Sequence, residues 1–171
     1  MANARYGAFF FLCAMGVAML GGAIAPPAHA APPPERVTCG ALDVARQHID
    51  AAGGEVNNMR TALQSFVVGR NKMQWTNNIS IAVNQDVTDM RNDQAAIGDK
   101  GFADAVEAFA SAVNDMNQSV KGIYHVASDD DGTYLASSIP SPDTYGFVDT
   151  AGDKQLEIVA AVNRIRAGGC A

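Results

Sequence analysis

Apolar residues recur along this chain at helical spacing, and the recurrence is strictest in two stretches. Leu42, Ala45, Ile49, Ala52, Val56, Met59, Leu63 and Phe66 follow one another at alternating steps of three and four, which sets them in one stripe along a helix. Phe102, Val106, Phe109, Val113, Met116, Val120, Ile123 and Ala127 repeat the pattern. Both stretches predict helices with a heptad seam. Gly53 and Gly54 lie off the first seam and each costs about 1 kcal/mol in helix propensity. The period continues in phase across them, so a single helix is expected.

Between these stretches, Trp75, Ile79, Val83, Val87, Met90 and Ile97 mark a second helix whose stripe drifts and whose flanks are rich in Asn, Asp and Gln. A fourth helix has its N-cap at Ser141, Pro142 at the first helical position and Asp143 in the first turn, although Gly152 allows a later start. Leu156, Ile158, Val159, Val162 and Ile165 form its apolar face, and Arg164 and Arg166 ahead of Gly168-Gly169 suit its end. The segment nearest to strand alternation, Tyr134 to Ile139, is short and is closed by Pro140. Breaks fall at 69–72, 98–101 and 128–140, and the first two are short enough to require antiparallel neighbours. The expected fold is all-α, an up-down-up-down four-helix bundle.

Ahead of the helices the pattern changes. Arg5 precedes an uncharged apolar run from Ala8 to Ile24, followed by Pro26, Pro27 and the small-x-small triplet Ala28-His29-Ala30. This order predicts a signal peptide over 1–30, cleaved after Ala30, then a Pro-rich spacer over 31–37 and the helical domain over 38–171. About 17 apolar residues stand at the lower edge of what spans a bilayer, so an uncleaved anchor is the competing reading. The cleavage triplet favours release, with no membrane contact afterwards, and the Ala/Pro-rich leader has a bacterial composition.

Export changes the meaning of the cysteines. Cys13 leaves with the leader, and Cys39 and Cys170 remain in a compartment where disulfides persist. In the expected bundle the start of the first helix and the end of the fourth share one end, so the two are expected to pair. In the chain-entropy model such a long loop is worth roughly 4–5 kcal/mol. With twelve basic against eighteen acidic side chains, the formal charge is −6, one unit more negative once Arg5 is gone. That balance argues against nucleic acid and against anionic lipid as partners.

Candidate chemistry is sparse. No nucleophile with a base, phosphate loop or zinc signature is present, so an enzyme is not expected, and neither is a cofactor or resident metal. His48 and His125 are expected on the surface, roughly 20 Å apart at about 1.5 Å of rise per residue. Tyr124-His125 offers two haem-ligand types on adjacent helical residues, which diverge too far to meet at one iron. Asp129-Asp130-Asp131-Gly132 fails the calcium-loop pattern at both ends and reads as a solvated turn. Met59, Met90 and Met116 fall on apolar stripes as core. Asn78-Ile-Ser80 and Asn117-Gln-Ser119 match the glycosylation pattern inside helices.

Trp75 after a helix-helix turn, with Tyr145-Gly-Phe-Val-Asp149 ahead of the last helix, resembles the Trp-x-Gly proteins exported by type VII secretion. The triplet here reads Trp75-Thr76-Asn77, and no function is carried over from that family. The expectation is an exported, non-catalytic helical protein acting by contact with a protein partner in the envelope or outside the cell. The alternative is a carrier of an apolar ligand or haem, lined by Phe66, Trp75, Phe102, Phe109 and Tyr124, with His125 alongside.

Overall fold

The computed structural model describes residues 37–66, 73–126, 134–136 and 139–171. The leader, the spacer up to residue 36 and the acidic turn Asp129 to Gly132 lie outside the described residues. Four helices make up nearly all of the described chain: α1 (Cys39–Gln64), α2 (Met73–Ile97), α3 (Lys100–Lys121) and α4 (Pro142–Ala167). A small antiparallel hairpin, β1 (Tyr124–Val126) and β2 (Tyr134–Ala136), stands between α3 and α4, with Tyr124 opposite Ala136.

Three helix starts carry their own caps. The Thr38 hydroxyl accepts from the Ala41 amide at 3.1 Å, Asp99 from Phe102 at 2.7 Å and Ser141 from Thr144 at 3.2 Å. Each satisfies an amide that has no partner within its helix. Between α2 and α3 only Gly98 and Asp99 intervene: Gly98 ends α2 at a φ of 64°, which other residues rarely adopt, and Asp99 begins α3. α4 runs unbroken from Pro142 through Gly152.

The third helix is shorter than its apolar period predicts. It stops at Lys121 with Gly122 as its cap, and Ile123 and Tyr124 stay buried while the backbone becomes extended. Glycine disfavours the helix by about 1 kcal/mol, and the β-branched and aromatic run that follows gains a partner strand in Tyr134-Leu135-Ala136. Tyr124 and His125 therefore stand on a strand rather than on a helix, and Ala127 lies outside the described residues.

α1 and α3 bury their seams as the spacing requires, with Leu42, Ile49, Met59, Phe102, Phe109 and Met116 fully enclosed. Phe66, beyond the end of α1, is half-buried against the core. α2 and α4 differ from expectation at one position each. Trp75 is 42% exposed and Leu156 60% exposed, and polar residues hold the seam instead. In α2 the buried or lining positions Thr76, Ser80, Val83, Val87, Met90, Gln94 and Ile97 keep steps of four and three without drift. In α4 Thr144, Val148, Ala151, Gln155, Ile158, Val162 and Ile165 do the same. The period was regular throughout, and only its polar members were invisible to an apolar count.

Contacts between helix ends hold the elements in place. Tyr145 at the start of α4 donates to the Leu63 carbonyl at the end of α1 at 3.0 Å. Arg164 near the end of α4 meets Asp99 at the start of α3 at 3.2 Å. Arg60 pairs with Asp149, and Arg166 with Asp43. The Cys39 and Cys170 sulfurs lie at disulfide distance, with Cα atoms 5.1 Å apart. Beside them the Cys39 amide donates to the Ala171 carbonyl and the Ala171 amide to that of Val37, each at 3.0 Å. No described helix is long and apolar enough to cross a membrane.

Candidate functional site

Sequence polarity on the seam of α2 has its consequence where α2 faces α3. Thr76 and Ser80 occupy positions that carry Ile or Val elsewhere on the seam, and further along the same pair of helices Ala110 and Ala103 of α3 are small. Side chains of this size do not fill the space between two helix backbones. A recess of about 270 Å³ opens near the start of α2. Met73, Thr76, Asn77 and Ser80 of α2 form one wall, and Val120 and Lys121 of α3 with Tyr124 of β1 form the other. Two further recesses, of about 470 and 480 Å³, follow along the same pair of helices, at Asn84–Arg91 and at the 98–99 turn.

Tyr124 is buried at the first recess, at 8% exposure. Its ring lies 6.0 Å from that of Phe66. Its hydroxyl is shielded from solvent and makes no hydrogen bond of good geometry, an arrangement that costs about 1–3 kcal/mol for a buried donor. Burial pushes the phenol above the ordinary tyrosine range, and the nearby Thr76 hydroxyl offsets part of that rise. The Thr76 hydroxyl itself donates to the Met73 carbonyl at 3.1 Å.

Two more buried polar atoms that make no hydrogen bond of good geometry belong to the same pair of helices. Gln94 Nε2 is on the α2 side, and Asn117 Oδ1 is on α3, in line at seven-residue spacing with Ala103 and Ala110. Asn117 is buried, so the second glycosylation pattern is closed to modification in the folded chain, whereas Asn78 is exposed. Lower down, Arg91 clasps Glu107 across the two helices with both carboxylate oxygens, at 2.8 and 2.6 Å. That contact holds the Glu107 carboxyl below its usual range.

Charge around the recess is uneven. Among the described residues every Arg and Lys has a carboxylate within ion-pair distance except Lys121. His48 is half-buried rather than simply solvated, because its Nδ1 lies 2.8 Å from Asp93 on α2. For His125 only the backbone is described. Among the described residues no group of three His, Cys, Asp or Glu side chains could hold a metal ion.

Of the aromatic residues expected around a ligand, Tyr124 lines the recess and Phe66 stands behind it. Phe102 and Phe109 are enclosed in the core, and Trp75 is on the surface. Thr76, Ser80 and Lys121 were missed. The signal that finds the first two is the heptad phase of α2 carried through its polar positions; Lys121 needs the ion-pair pattern of the folded chain. No protein-family model, curated protein or solved structure matches this chain.

Proposed function

We propose that this chain is an exported, non-catalytic binding protein, released after Ala30 and folded as an up-down-up-down bundle, which holds a small and largely apolar molecule between α2 and α3. The observation that carries this reading is the recess itself. It has an apolar wall, a few convergent polar groups and a volume of about 270 Å³, just under the range of about 300–1,000 Å³ usual for drug-sized ligands. A ligand smaller than haem is therefore favoured. Export is supported by the leader pattern and by a cysteine pair at bonding distance. The up-down order is supported by the meetings of opposite helix ends, Leu63 with Tyr145 and Asp99 with Arg164.

Native mass spectrometry of the protein purified from its own host tests the reading. The expected result is a retained mass of a few hundred daltons at most, lost on denaturation. Protein that carries none and binds none of a small-molecule panel removes it. Contact with a protein partner is the second reading, favoured by Trp75 and Ile81, the latter 61% exposed, on the outer surface of α2. Crosslinking in envelope extract that captures one partner through α2, and loses it on Trp75→Ala, supports that alternative.

A further inference from the structure

α1 packs against α2 and α4, and α3 packs against the same two helices, so α1/α4 and α2/α3 form opposite edges of the bundle. The two edges are fastened differently. Along α1/α4 the links run from end to end, with the Cys39–Cys170 pair at one end, Gln155 on the Ile49 carbonyl midway and Tyr145 on the Leu63 carbonyl at the other. A recess of about 540 Å³ lies on this edge too, but the Arg60–Asp149 pair and Gln155 form part of its wall. Along α2/α3, among the described residues, one ion pair joins the helices. It is Arg91 with Glu107, both side chains about half exposed, with the Gln94 amide near the same carboxylate. Asn117 Oδ1 on α3 is buried and accepts no hydrogen bond of good geometry, and water reaches it only if the helices part. Gly98, at a φ of 64° between α2 and α3, has the freest backbone of the turn.

We infer that the bundle opens along α2/α3, with α1/α4 as its fixed spine, the Arg91–Glu107 pair as its clasp and Gly98 as its hinge. An exposed ion pair adds little resistance to separation, whereas the spine combines a covalent link with a buried hydrogen bond. The recesses along α2/α3 also leave less apolar contact to lose when the helices part. Opening stands apart from the ligand reading, and it supplies any ligand of the recess with a way in.

Val56 and Val87 are matched probes of the two edges. Each is 4% exposed, but Val56 packs toward Gly152 of α4, whereas Val87 lines the α2/α3 edge. Val56→Cys and Val87→Cys are introduced singly into the disulfide-containing chain with Cys13→Ser, so that each supplies the one free thiol. Labelling is followed under native conditions, and global unfolding of each variant by denaturant. The Val87→Cys chain is expected to label at least about tenfold faster than its global unfolding allows, and the Val56→Cys chain no faster than its own. Glu107→Gln should speed labelling of the Val87→Cys chain about two- to fivefold, and Asp149→Asn should not. Labelling of both chains at the rate of global unfolding, or an excess no larger for Val87→Cys than for Val56→Cys, overturns the opening edge, and indifference to Glu107→Gln overturns the clasp. If either cysteine variant fails to fold, the unsubstituted chain carries the same comparison in methyl NMR under pressure. The Val87 methyl shifts should leave linearity at lower pressure than those of Val56, and a common departure overturns the inference.

Discussion

α2 and α4 each carry polar residues on an otherwise regular seam, yet the two interfaces differ. In α4 the polar members are matched from across the interface. Gln155 donates to the Ile49 carbonyl of α1 at 3.1 Å, and Thr144 accepts from Ser119 of α3 at 3.0 Å. Room for Gln155 comes from Gly53, where a Cβ would lie 2.9 Å from the Gln155 amide nitrogen. In α2 the small Ala103 and Ala110 of α3 line two of the recesses, and Gln94 Nε2 makes no hydrogen bond of good geometry although the Glu107 carboxylate is near. A polar seam residue thus closes an interface only when the opposite helix supplies both space and a partner.

The largest effect is expected where no polar member intervenes. Phe109→Ala, in the fully enclosed seam of α3, should cost about 3–5 kcal/mol in denaturant unfolding, and a loss below about 1 kcal/mol would mean that the α3 core is not close-packed. Next comes the coupling between Gly53 and Gln155. Gln155→Ala should cost about 1–2 kcal/mol. Gly53→Ala should fail to stabilise the natural chain yet stabilise the Gln155→Ala protein by about 1 kcal/mol, the helix-propensity gain. Equal effects in both backgrounds would show that Gly53 makes no room for the amide.

Smaller changes are expected on the open side. Ser80→Ala should shift stability by no more than about 0.5 kcal/mol, since its hydroxyl lines a recess, and a loss above about 1 kcal/mol would place it in a closed interface. Asp86, on the flank of α2 toward α1, offers a test through pH. Burial first, then Glu55 and Asp89, raise its pKa above the ordinary aspartate value, against a lowering by His48. A raised folded-state value means that protonation favours the folded chain, so the contribution is present below about pH 4 and is lost as the pH rises through the folded value. Asp86→Asn should therefore raise the melting temperature at pH 7, and the difference should vanish near pH 3. A difference independent of pH would assign the gain to something other than charge.

Much of this architecture was legible in residue spacing. The seams of α1 and α3, the cap at Ser141 and the meeting of Cys39 with Cys170 follow from local period, capping chemistry and end-to-end geometry. The hairpin at Tyr124 was hidden because Ile123 and Ala127 continue the helical period in apolar terms, and only pairing with Tyr134–Ala136 reveals the extended backbone. The site was less visible. Phe102 and Phe109 look like ligand-lining aromatics until packing encloses them, whereas Thr76 and Ser80 look like surface residues until phase puts them on the seam.

Sequence alone decided where the four helical stretches lie, where α4 begins and that the two ends of the domain meet, because these depend on neighbours three or four positions apart and on chain connectivity. Tertiary structure decided which polar residues are satisfied and why Gly53 sits within α1. Those outcomes depend on what the opposite helix presents across a few ångströms, and residues far apart along a chain carry no record of that distance.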